Sequence, residues 1–140
     1  MDYRADFYEA KYHLGVAKKM LGVYDEYAEK RVLVGVIREG AKAAGKLVRA
    51  FLIREGVRGD LGTFVKDVAS KYLKAETIDS LVKILEVERA QRIARVEFVK
   101  GDSVLMETGG KWRVLKVSRL RKFIDSIDDV IGNFPTNIKR

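Results

Sequence analysis

The chain has 140 residues, 28 Lys+Arg against 20 Asp+Glu, a net charge of +8, one histidine and no cysteine. That length suits a single domain with a real core, and zero cysteine excludes a disulfide framework, thiolate metal sites and cysteine nucleophiles. Apolar runs of only a few residues exclude a transmembrane helix, and the acidic, aromatic start is no signal peptide, so the expected address is the cytoplasm.

The spacing predicts an amphipathic helix over 3–21, with Tyr3, Phe7, Ala10, Leu14, Ala17 and Leu21 on one stripe, Asp2 as its N-cap and Gly22 as its stop. A longer second helix is expected over 24–55. Its apolar residues, from Leu33 to Leu52, wrap more than half the circumference, as in a central helix. Gly35, Gly40 and Gly45 recur along it. Each lowers helix propensity by about 1 kcal/mol relative to Ala, so their use is close helix–helix approach. Gly56 is its expected end.

Asp60 caps a third helix over 61–73, and Thr77 caps a fourth that continues towards Val96. Beyond Gly101-Asp102 the period changes to two. Ser103–Glu107 and Lys111–Val117 flank Gly109-Gly110, a favoured hairpin turn. That turn sets Met106 opposite Arg113 and Val104 opposite Leu115, with Val104, Met106, Leu115 and Val117 on one side. Ser118 caps a last helix over 119–131, closed by Gly132 and Pro135. The expected fold is one all-α domain over 1–140: an up-and-down bundle of four to five helices with a small hairpin, about 103–117, before the last helix.

The composition has a further mark. Charged residues make up 34% of the chain, while Gln91, Asn133 and Asn137 are its only side-chain amides. This is the pattern of proteins from hot environments.

The net charge is unevenly spread. Residues 31–58 carry +5 and residues 89–122 carry +7, while the other segments are slightly acidic. On the second helix Arg31, Arg38, Lys42, Lys46 and Arg49 project within about an 80° arc, a stripe ~27 Å long. Such a stripe is either a solvated face or a surface for a polyanion. The second cluster includes Arg92, Arg95, Lys111, Arg113, Arg119, Arg121 and Lys122. Its last members open the final helix against the macrodipole, with Asp125, Asp128 and Asp129 in the later turns. A locally disfavoured charge order points to a contact. Trp112 and Tyr24 are available for stacking, although a lone Trp on a hairpin is more often packing, and no interleaved aromatics of a single-strand binder are apparent.

Catalytic constellations are mostly missing. His13 projects to the edge of the first helix's apolar stripe, the place of a core-edge histidine with one hydrogen bond. There are no Glu-x-x-His pairs, no phosphate loop at Gly59–Thr63 and no nucleophile elbow. Nothing here argues for catalysis, a metal or a cofactor.

The run from Gly35 through Arg38, Glu39, Ala41, Lys42, Lys46, Arg49 and Arg54 to Gly56 resembles the second helix of HEPN-domain proteins of prokaryotes. Ala10, Leu14 and Ala17 resemble that family's first-helix pattern, and Asp60-Leu61-Gly62-Thr63-Phe64 its short third helix, with Gly59 where a His often stands. The resemblance covers about 1–100. It implies an all-α bundle, commonly dimeric, from a family of toxins, RNases and partners of minimal nucleotidyltransferases. The family's RNases use an Arg followed a few residues later by His; here Arg4 lies nine residues before His13, the sole histidine. The resemblance therefore implies a non-catalytic module.

The expected function is binding of RNA, or of an acidic protein partner of nucleotidyltransferase type, through the two basic segments, as a homodimer joined at the small-residue surface of the second helix. The alternative is a winged-helix-like DNA-binding regulator. It is suggested by the 61–73 helix, the turn at Lys74-Ala75-Glu76, the next helix and the basic hairpin.

Overall fold

The computed structural model describes residues 2–136. Its first helix, α1 (Arg4–Tyr27), runs straight through Gly22 and ends at Ala28. Leu21 before the expected stop is buried and Tyr24 beyond it is half-buried, so packing outweighs the propensity of one glycine. Asp2 is not the N-cap: Tyr3 holds that position without a side-chain cap, and the Asp2 carboxylate, one residue earlier, accepts from the Arg4 N–H at 2.9 Å. Ala28 takes a left-handed conformation at φ 53° and is the one non-glycine residue among those described to do so. Ala28→Gly is expected to raise stability by ~0.5–1 kcal/mol, the left-handed penalty of a Cβ less the entropy of a glycine. A rise in denaturant midpoint at constant slope would record it; an unchanged midpoint would remove the strain from the account.

The second helix, α2 (Val32–Glu55), therefore begins eight residues later than the periodicity predicts, because 24–27 complete α1. It closes at Gly56, which is left-handed at φ 67°, as expected. Contacts between α1 and α2 run in opposite order along the two helices, Asp6 meeting Arg49 and His13 meeting Glu39, so they form an antiparallel pair. The small residues of α2 are used within the chain. A Cβ on Gly40 would lie 2.6 Å from Ile84 and 2.8 Å from Ile124, and one on Gly35 would lie 2.9 Å from Met20.

Asp60 caps the next segment as expected, accepting from the Thr63 N–H at 3.1 Å. The segment is not the regular helix predicted over 61–73. It is a short α3 (Leu61–Thr63), a π turn (Phe64–Val68) and a 3₁₀ turn (Ala69–Lys71). The wide π turn brings positions five apart into line. Phe64, Val68 and Ala69 are thereby all fully buried. The helix α4 (Ala75–Ile93) starts two residues before Thr77, which is not its cap.

The expected hairpin is a three-stranded antiparallel sheet, β1 (Val96–Lys100), β2 (Ser103–Thr108) and β3 (Lys111–Lys116), in sequence order. The fourth helix, expected to continue towards Val96, ends at Ile93, and Val96–Lys100 form β1 because their apolar positions alternate with period two. The β2–β3 register is the one predicted, Met106 opposite Arg113 and Val104 opposite Leu115. Gly109 and Gly110 both have positive φ, as a tight hairpin turn of this hand requires.

The last helix, α5 (Val117–Gly132), begins before Ser118, its first N–H donating to the Asp102 carbonyl at 2.8 Å. One side of the sheet, with Val104, Met106 and Leu115, packs on α4 and α5. The buried side chains form a single cluster centred on α2. The chain is thus mostly helical, five helices with a small sheet before the last. No helix among the described residues is long and apolar enough to cross a membrane.

Candidate binding surfaces on the bundle and the sheet

The basic stripe of α2 faces the acidic residues of α1. Lys46 Nζ lies 2.6 Å from Glu9 and 3.5 Å from Asp6, and Arg49 Nε lies 2.9 Å from Asp6. Lys42 lies 3.4 Å from Glu39, its neighbour one turn back. The hydrogen bond from Lys46 holds the Glu9 carboxyl below its usual range, and the same bond raises Lys46. Arg31 precedes α2, is 94% exposed and rests 3.6 Å from Glu29. Arg38 is exposed and makes no salt bridge among the described residues. Four of the five stripe cations, all but Arg38, are therefore paired within the chain.

His13 is the core-edge histidine expected, with its Nδ1 2.9 Å from Glu39. Burial pushes the Glu39 carboxyl up, but the hydrogen bonds and charges of His13 and Lys42 outweigh it and hold the group below its usual range. An open depression of about 500 Å³ beside them is lined by Glu9, His13, Lys42, Gly45, Lys46 and Arg49. Its three cations face Glu9 in the lining and Asp6 and Glu39 just behind it, and these pairings leave a bound anion little net attraction. No group of three or more histidine and acidic side chains among the described residues is placed to hold a metal.

The second cluster divides. Arg92 pairs with Glu88 on α4 at 2.9 Å, and Arg121 makes a two-pronged pair with Asp25 of α1. Asp128 answers Lys18 of α1 at 2.8 Å. The reversed charge order of α5 thus partly serves its antiparallel contact with α1. Arg95, Lys100, Lys111, Arg113, Lys116, Arg119 and Lys122 make no salt bridge among the described residues. Arg119 lies over the Phe123 ring at 5.6 Å. With Lys116, Lys122, Ser118 and Val114 it lines an open groove of about 630 Å³ between β3 and α5. Lys111 and Arg113 alternate to the other side of the sheet, near the hairpin tip.

That groove continues onto the open face of the sheet. The register stacks three rungs there: Val96–Glu107–Trp112, Phe98–Leu105–Val114 and Lys100–Ser103–Lys116. Trp112 is 54% and Phe98 43% exposed. The two rings come from the outer strands and meet edge to face across β2, centroids 5.9 Å apart. Glu107 is the one carboxylate on this face and accepts from the Gly110 N–H at 2.8 Å.

Sequence reasoning named Trp112 as available for stacking, weighed it towards packing, and missed its pairing with Phe98. The signal is the alternation Val96, Phe98, Lys100, which sets Phe98 diagonal to Trp112 once the segment is a strand. Tyr24, the other stacking candidate, packs half-buried against the core. No family model matches the chain, and no curated protein or solved structure matches it either.

Proposed function

We propose that the protein is a nucleic-acid-binding module that contacts RNA through the β3–α5 edge, on a helical platform resembling the HEPN fold. One observation carries the reading: Lys116, Arg119 and Lys122 line one groove without salt bridges among the described residues, while most of the α2 stripe is already paired. Unpaired, clustered cations neutralise phosphates with release of counterions; paired ones must first give up a partner. The outward positions of α4 include Asp79 and Glu86, which repel a duplex backbone, and this favours the sheet side over a recognition-helix mode. The HEPN resemblance agrees with binding in place of cleavage, because Arg4 and His13 do not make the RNase spacing. The reading assigns no catalytic residue.

The test is fluorescence anisotropy with labelled RNA at about 0.1 M salt. Lys116→Glu, Arg119→Glu and Lys122→Glu together are expected to weaken binding on the order of 100-fold and to flatten the salt dependence by about two log units per log unit. The same charge change at Lys30, Lys66 and Lys74, exposed elsewhere and without salt bridges among the described residues, controls for net charge. Equal losses in the two triple variants would reduce the interaction to nonspecific attraction and overturn the assigned surface.

A further inference from the structure

We propose that the open face of the sheet is a base-stacking platform for single-stranded nucleic acid, Trp112 and Phe98 taking unpaired bases while Lys116, Arg119 and Lys122 hold the phosphates of the same strand. The proposal rests on the nucleic-acid reading above and names the form of the ligand. The sheet's other side is buried on α4 and α5, so this side is the one free to meet a ligand. Large aromatic rings left in water on a rigid support are the side chains least explained by folding. An aromatic ring offers a base its π-face, and that face is accessible only when the base is unpaired. A duplex presents base edges and phosphates and would leave both rings idle.

Charge selects among occupants of the face. The cationic rung, Lys100 and Lys116, lies two rungs from Trp112 along the strands, about 7 Å per rung. Arg119 and Lys122 extend it onto α5. Against these four cations stands Glu107, held beside the turn by the Gly110 N–H. A second copy docked through the same face would bring one net positive patch against another. A polyanion that also carries flat apolar faces satisfies both the cations and the rings.

Trp112 is the only tryptophan in the chain, so its fluorescence reports on this face alone. The full-length protein is titrated with a single-stranded oligouridylate, with an RNA duplex of equal length and with inorganic polyphosphate. The expected result is that the single strand binds and quenches Trp112 by about half or more, while polyphosphate binds without quenching. Trp112→Ala and Phe98→Ala are each expected to weaken single-strand binding on the order of tenfold, and Trp112→Phe to restore most of it. Far-UV circular dichroism and thermal midpoints of the variants, expected to match the wild type because both rings are exposed, separate lost binding from lost folding.

Binding of the single strand without quenching, and with unchanged affinity in Trp112→Ala, would overturn stacking while leaving the phosphate surface standing. Failure of every nucleic acid to bind would overturn both readings. A dimer of the free protein that is lost in Trp112→Ala would assign the face to a second copy and overturn the proposal.

Discussion

Phe51→Ala is expected to lower the unfolding free energy by about 4 kcal/mol. The ring is 1% exposed and meets three others, Phe134 at 4.5 Å and Phe64 and Tyr72 at 5.5 Å between centroids. These come from the π turn, the end of the 3₁₀ turn and the chain after α5, so no single element can shift to fill the hole. The cost is therefore the lost transfer energy plus a cavity that persists. Urea unfolding measures it as a fall in midpoint at constant slope, with Phe51→Leu losing less than half as much. A loss below about 1.5 kcal/mol for the alanine variant would mean that the surrounding rings collapse inward and that the junction is looser than it looks.

Arg54→Leu is expected to cost about 2–3 kcal/mol, by removing a cation from a carboxylate that stays half-sequestered. The Arg54 side chain is 8% exposed and bonds Glu55 at 2.7 Å, the Tyr72 hydroxyl at 3.3 Å and the Pro135 carbonyl. The Tyr72 hydroxyl also donates to Glu55 at 2.8 Å. Burial pushes the Glu55 carboxyl up, but Tyr72 and Arg54 outweigh it and hold the group below its ordinary 4.5. A depressed carboxyl adds stability that is present above its unfolded pKa and lost as pH falls through the folded value. The gap between wild type and Arg54→Leu should therefore be widest near neutrality and narrow below about pH 4.5, where a protonated Glu55 no longer needs the cation. Tyr72 shifts the other way, raised by its bond to Glu55 and by burial, so its share is lost only as pH rises through its folded value. A gap that stays constant from pH 7 to pH 3 would show that Arg54 acts by packing alone.

What the sequence made legible was local. Gly109-Gly110 determined a register, Gly56 an end and Asp60 a cap, because each is a backbone requirement met within a few residues. The π turn was illegible for the opposite reason. Leu61, Phe64, Val65, Val68 and Tyr72 sit at α-helical spacings, so nothing in the local pattern marks the wider turn that buries Ala69 beside Phe64. The strand β1 was hidden because Ile93, Ala94 and Val96 continue a helical spacing past the true end of α4.

The candidate surfaces divide along the same line. The α2 stripe was visible in projection, but Asp6 and Glu9, which neutralise much of it, lie on another helix and do not appear on a wheel drawn for α2 alone. The Phe98–Trp112 pair needed a strand assignment before its alternation had meaning. Net charge by segment found the right region in 89–122 and overcounted it, since Arg92 and Arg121 are engaged elsewhere.

The Tyr3 hydroxyl donates to the Thr136 carbonyl at 2.9 Å, across 133 positions of sequence, and Tyr3 also faces the Phe134 ring. Arg54 reaches Pro135 across 81 positions and Arg121 reaches Asp25 across 96. By contrast, the α1–α2 pair and the three strands join neighbours in sequence and need little loop closure. The topology predicts an order of assembly in which the helical pair and the sheet form early and α5 docks last, drawing the distant segments together. Weakening the Tyr3–Phe134 contact then shortens the lifetime of the native state and leaves the rate of reaching it nearly unchanged.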